Sequence, residues 1–366
     1  MFDESLQKQN IQDLKDVGIL PSEICEYIEQ NAICTDNGSW GTWIHEIENK
    51  NEREWVQRRI VLFTSKGKPL IVTIDAGEAN WYENEVHIRI HNLCEKYSIS
   101  ADKFIFITND AEIENRYNEW FKTSNYKKKI NVLSYPMLFQ RYISLYYKEG
   151  YTDYDLFDIK KYKNPTKKFL CLIGKETTER SLLWNWFNMW KEIKDCGYVS
   201  NIAKNIVLPN SYKTSKKDVL EGRSYAGIDS LEQYYEDTYF SIVPENTVDH
   251  GEKWVTEKIT KVLYHGHPFI IVGTHGILKL LKSWGFETFP ELFDESYDDI
   301  EDWRERIEYI KKEIIKFCLL KDDKELSKLY DSVYEKCVHN QKTLLNLKIP
   351  GEELLSKLKN IVETNG

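Results

Sequence analysis

No stretch of the 366 residues approaches the roughly 20 consecutive apolar side chains that a bilayer-spanning helix requires; Phe104-Ile105-Phe106-Ile107 and Phe269-Ile270-Ile271-Val272 are of strand length. The N-terminal MFDESLQKQN has neither the basic stub nor the apolar stretch of a secretory signal, so the sequence predicts a cytoplasmic protein with no membrane span. Cysteine is scarce and unpaired in pattern: seven residues, widely scattered, with no C-x-x-C. That excludes the usual signatures of a disulfide framework or a zinc knuckle and predicts buried thiols. An excess of positive charge is also missing, since 50 Lys and Arg against 59 Asp and Glu leave a net charge of −9. Such a chain is not drawn onto phosphate polymers by its overall field, and nucleic acid is not expected as a partner. Neither a solenoid-period repeat nor a low-complexity tract is present.

What the sequence does contain is the composition of a folded globular protein, 41% hydrophobic, 30% charged and 13% aromatic. Its length, at about 150 residues per domain, predicts two domains. Residues 1 to about 64 read as helical, with Ile24, Tyr27 and Ile28 on one face. From Leu70 the pattern alternates: strand 70–75, helix 86–97, strand 103–108, helix 112–121, strand 130–133, helix 138–147. The polar segment GYTDYDLFDIKKYKNPTKK, 149–167, reads as a linker. Strand 169–173, helix 178–193, strand 239–243, helix 256–265, strand 268–272 and helix 277–283 then resume the alternation, and 298–363 is helix-rich and charged. The expectation is an α/β protein of two Rossmann-like domains, 1–160 and 161–366, facing a cleft.

In parallel sheets ligands lie at the carboxyl ends of the strands, so the residues just after each apolar run are the candidates. These are Asp75 to Glu78, Asn109-Asp110, Gly174-Lys175, Pro244 to Thr247 and Gly273 to Gly276. The stretch YFSIVPENTVDHGEKWVTEKITKVLYHGHPFIIVG, 239–273, is the most informative. A strand delivers Glu245 and Asn246 into a loop that ends at Thr256-Glu257-Lys258, the first turn of a helix. There Thr256 can cap free N–H groups, the helix dipole favours an anion, Lys258 can meet a phosphate oxygen and Glu257 can accept from paired ribose hydroxyls. Arg180 and Lys175 flank the helix start after FLCLIG, and a guanidinium can grip phosphate bidentately. LIGKETTER is not a Walker loop, because Phe169 stands where its first glycine belongs. Asp153-Tyr154-Asp155 spells D-x-D but follows a charged helix instead of a buried strand, which points to turn chemistry. His265 and His267 read as caps of a helix end, His275 as a residue able to face the cleft, Trp184, Trp186, Phe187 and Trp190 as a packing stripe, and Lys127-Lys128-Lys129 as a solvated loop.

The order E-N-T followed by V-T-E-K-I resembles the donor-binding signature of the alpha-1,3-fucosyltransferases, inverting enzymes of GT-B architecture, with Trp254 in place of that signature's tyrosine and Pro244 in place of its phenylalanine. The resemblance covers about 35 residues. It implies a glycosyltransferase moving a sugar from a nucleotide diphosphate, GDP-linked by preference, to a carbohydrate hydroxyl. It implies donor contacts at Glu245, Asn246, Thr256, Glu257 and Lys258, with Arg180 on the diphosphate, and neither a metal nor another cofactor. Inversion needs a base for the acceptor hydroxyl, and Glu78, after the strand ending at Asp75, is the candidate, with Asp75 and Asp110 behind it. Two alternatives keep the fold: a glucosyltransferase of modified DNA bases, and a non-catalytic module binding sugar nucleotides or glycans.

Overall fold

The computed structural model describes residues 4–34, 70–75, 85–140, 165–174, 176–209, 228–245, 252–253, 255–320, 322–346 and 351–365. It is a mixed α/β structure with parallel sheets. The chain divides into two compact units, residues 1–150 with 252–254 and 348–366, and residues 151–251 with 255–347. Within the described residues each unit is built on a four-stranded parallel sheet.

The first unit begins with helices α1 (Glu4–Val17) and α2 (Ser22–Asn31). Strand β1 (Ala32–Cys34) follows at once and pairs with β2 (Leu70–Asp75), so part of the segment expected to be helical enters the sheet. Three residues with a single β-branched side chain carry too little pattern to announce a strand. Beyond β2 come α3 (Val86–Lys96), β3 (Phe104–Thr108), α4 (Ile113–Thr123) and β4 (Asn131–Ser134), in the sheet order β1-β2-β3-β4. All five residues of β3 are buried, the mark of a parallel strand covered on both faces. On one face Phe104, Phe106 and Val132 pack with Ile90, Leu93 and Cys94 of α3 and with Ile113 and Tyr117 of α4. The Tyr117 hydroxyl accepts the Ile130 N–H at 2.7 Å and lies 2.9 Å from His91 Nε2. Burial holds His91 down to about 4, so the ring is neutral and Nε2 can accept the tyrosine hydrogen.

The second unit runs β5 (Lys167–Ile173), α5 (Thr178–Met189), α6 (Lys191–Asp195), β6 (Gly197–Asn201), α7 (Ile228–Glu236), β7 (Thr238–Pro244), α8 (Glu257–Tyr264), β8 (Phe269–Val272), α9 (Ile277–Ser283), α10 (Trp303–Leu320) and α11 (Asp323–Asn346). The strand order is β6-β5-β7-β8. Edge strand β6, GYVSN, was not evident in the sequence because only Tyr198 and Val199 are apolar. The helix expected over 178–193 breaks at Trp190, whose backbone leaves the helical region at φ −107°, ψ 71°. Trp184, Trp186 and Phe187 are buried as the packing stripe predicts, while Trp190 is half exposed. Phe187 stacks on Phe169 at 5.5 Å between centroids; Phe169 in turn meets Phe240, which packs on Phe317 of α10. Phe169 lies opposite Gly197 in the ladder, and its ring occupies the space a Cβ there would take.

Helix α12 (Gly351–Asn365) returns to the first unit, where it packs on α2 and β4. It buries Leu354 and Leu358, and Lys357 pairs with Glu114 at 2.7 Å. Among the described residues no helix is long and apolar enough to cross a membrane.

Candidate functional site

In the second sheet the chain steps from β5 to β6 on one side and resumes with β7 and β8 on the other. Adjacent strands β5 and β7 thus flank a topological switch point, the place where open α/β sheets leave a crevice at their carboxyl ends. A cavity of about 200 Å³ lies there. Ile173 and Gly174 from the end of β5, Val243 and Pro244 from the end of β7, and Glu257, Lys258 and Lys261 of α8 line it. Leu170, Leu172, Ile202, Leu231, Tyr235 and Val262 supply an apolar wall, with Ser200 and Ser241 among them. The lining is thus mostly apolar, with its charged groups confined to α8.

The loop after β7 is fastened to the start of α8 by one polar network. Glu245 N–H donates to Val272 O at 2.9 Å, carrying the β7–β8 ladder one residue past β7. The Glu245 carboxylate turns inward and is 1% exposed. It accepts the Thr256 hydroxyl at 2.6 Å and, more loosely, the Thr256 N–H at 3.4 Å. Thr256 is the N-cap of α8: its Oγ1 accepts from the Lys258 N–H at 3.4 Å and from Lys258 Nζ at 2.9 Å. One hydroxyl thereby uses its single hydrogen and both lone pairs. Lys258 Nζ also donates to Glu257 at 3.0 Å and lies 4.0 Å from Glu245. Burial pushes the Glu245 carboxyl above its usual range, and Lys258 and the Thr256 hydroxyl only partly offset this. Burial also acts upward on Glu257, but Lys258, Lys261 and hydrogen bonds outweigh it and hold that carboxyl below the ordinary range.

Glu257 and Lys258 line the cavity together; Glu245 and Thr256 are buried, do not line it, and hold the start of α8 through the hydrogen bonds just described. Arg180, expected on a diphosphate, is 2% exposed; its Nη2 donates to the Pro244 carbonyl at 2.9 Å and so fixes the end of β7. Lys261, not singled out in the sequence, lines the cavity one turn beyond Lys258, and the spacing E-K-x-x-K on one helix face was the signal for it. Glu78, Asn246, Lys175, Trp254 and Asp153-Tyr154-Asp155 lie outside the described residues, as do most of the linker 149–167 and of the helix expected over 138–147.

Other strand ends are committed to structure. Asp110, a runner-up for the base, is buried and its Oδ1 accepts the backbone N–H groups of Glu112 and Lys253 at 2.9 and 3.1 Å. Beyond β8, Asp298 accepts from the N–H groups of Leu278 and Lys279 and caps α9, which Gly276 enters at φ +73°. His267 does not cap a helix end with its ring; Nδ1 lies 2.8 Å from Ser241 Oγ and Nε2 2.8 Å from the Thr238 carbonyl, both in β7. His265 stacks on Tyr235 at 4.0 Å. Among the described residues no group of three or more His, Cys, Asp or Glu side chains could hold a metal ion.

No family model matches the sequence, and no curated protein does. Among solved structures, an alpha1,3-fucosyltransferase is similar at 12% identity and a TM-score of 0.36, over 82% of this chain and 78% of that one. The spinosyn rhamnosyltransferase SpnG is similar at 9% identity and a TM-score of 0.28, over 87% of this chain and 80% of that one.

Proposed function

We propose that the protein is a GT-B glycosyltransferase that moves a sugar from a nucleotide diphosphate, GDP-linked by preference, to a glycan hydroxyl with inversion. The observation that supports this best is the cavity at the ends of β5 and β7, lined at the first turn of α8 by Glu257 and Lys258. As the glycosidic bond of a donor breaks, negative charge grows on the departing diphosphate. An ammonium and the positive end of a helix dipole already in place stabilise that charge without reorganising. Glu257, held ionised, offers two acceptor oxygens to the paired hydroxyls of a ribose. The apolar wall with Tyr235 suits the faces of a nucleobase. In this reading Lys258 and the dipole do the work that a divalent ion does in metal-dependent transferases, and Glu78 removes the acceptor proton.

Thermal unfolding with GDP, UDP, CMP and dTDP tests the reading. One nucleotide should raise the melting temperature in proportion to the logarithm of its concentration, and Glu257→Ala should need about tenfold more of it for the same rise. Absence of any shift at millimolar nucleotide would remove the proposal. Slow donor hydrolysis, or transfer across a panel of glycans, separates an enzyme from a silent binding module.

A further inference from the structure

Lys258 and Lys261 both line the cavity, yet they are differently engaged. Lys258 Nζ is held by Thr256 Oγ1 and Glu257 Oε1 at 2.9 and 3.0 Å. Lys261 Nζ makes no hydrogen bond or ion pair among the described residues; the charges that act on it are Glu257, four residues back, and Lys258, three back. Burial holds its ammonium below the ordinary lysine range, and Glu257 only partly offsets this. An ammonium partly withdrawn from water with no directional acceptor among the described residues is poorly compensated by them, and an anion entering the cavity would supply an acceptor. Arg180, the other cation expected at a diphosphate, is 2% exposed, donates from Nη2 to the Pro244 carbonyl and does not line the cavity. Three residues of helix advance about 4.5 Å along the axis, a separation at which two lysines can address neighbouring phosphoryl groups.

We propose that Lys261 is the second phosphate contact of this pocket and sets its preference for nucleoside diphosphates over monophosphates. The inference rests on the nucleotide reading given above, in which Lys258 holds the first phosphoryl group.

The test is calorimetric titration of the intact protein with the diphosphate that stabilises it most and with the matching monophosphate, GDP and GMP being the first pair. The wild type should favour the diphosphate by about tenfold or more, the scale of one charge-assisted contact. Lys261→Gln should abolish most of that preference while holding GMP affinity within about twofold, and Lys261→Arg should keep it. Lys261→Met, which preserves the apolar stem, guards against misfolding and should behave as Lys261→Gln with an unchanged melting temperature. A Lys261→Gln protein with the wild-type GDP to GMP ratio overturns the role of Lys261 and leaves the pocket reading intact. A wild type that binds neither nucleotide overturns the pocket reading and this inference with it.

Discussion

Glu245 is a carboxylate whose own burial outweighs the help of Lys258 at 4.0 Å, so its pKa in the folded chain exceeds that in the unfolded chain. The folded state then holds the proton more tightly, and the stability linked to it is full below the ordinary carboxylate range and falls as pH rises through the raised value. Glu245→Gln should therefore gain on the wild type in melting temperature between pH 4 and pH 8; a difference flat across that range would contradict the assignment. His267 has the opposite sense. Burial lowers it from 6.5 to about 4, so stability falls as pH drops through that window, by about 3 kcal/mol in the limit of full burial. Replacing it with Gln should flatten the acid limb of the wild-type melting curve. Glu257→Ala and Lys258→Ala should each weaken nucleotide binding about tenfold, or about 1.4 kcal/mol, with little change in thermal stability, because both side chains line the cavity and not the core. Glu257 and Lys258 could be singled out in the sequence because a threonine cap and a charged first turn are local features. The inward turn of Arg180 could not, since the carbonyl it meets is 64 residues away, nor that of Glu245, since it depends on how the intervening loop brings Thr256 back onto it.

The elements best announced by the sequence are those with a long apolar run or a clear helical period. β2, α3, β3, α4, β4, β5, β7, α8, β8 and α9 fall within a few residues of their expected bounds. β1 escaped because it has only three residues, and β6 because only Tyr198 and Val199 of its five are apolar; both carry too little pattern of their own and are made strands by the neighbour they pair with. Edge position has an energetic counterpart at Gly197, the only residue type that leaves room for the Phe169 ring across the β5–β6 ladder. Gly197→Ala should cost about 1–3 kcal/mol by overpacking, measured by denaturant unfolding. Thr256→Ala should cost about 1 kcal/mol through loss of the α8 cap and should weaken nucleotide binding as well, since the same hydroxyl steadies Lys258. Thr256→Ser, which keeps the hydroxyl, should restore both; binding that stays wild-type in Thr256→Ala would detach the cap from the site.

At the scale of the molecule, the parallel α/β organisation followed from strand and helix periods alternating along the chain, whereas the allotment of residues 252–254 and 348–366 to the first unit had no sequence signal at all. The proposed division of labour assigns donor binding to the second unit and proton removal to Glu78. Glu78→Gln should leave nucleotide affinity unchanged and depress transfer by about a hundredfold or more, the usual scale of a lost general base. Unimpaired turnover would strike Glu78 from the mechanism. Helix α12 buries Leu354 and Leu358 against a unit whose sheet ends at Ser134. Ribosomes emit the chain from its amino end, so the entire stretch 151–347 emerges before that helix exists. Among the described residues, the contacts that α12 makes with α2 and β4 of the earlier-made sheet can form only after the later-made one has left the ribosome; for this part of the fold, order of synthesis and order of completion are reversed.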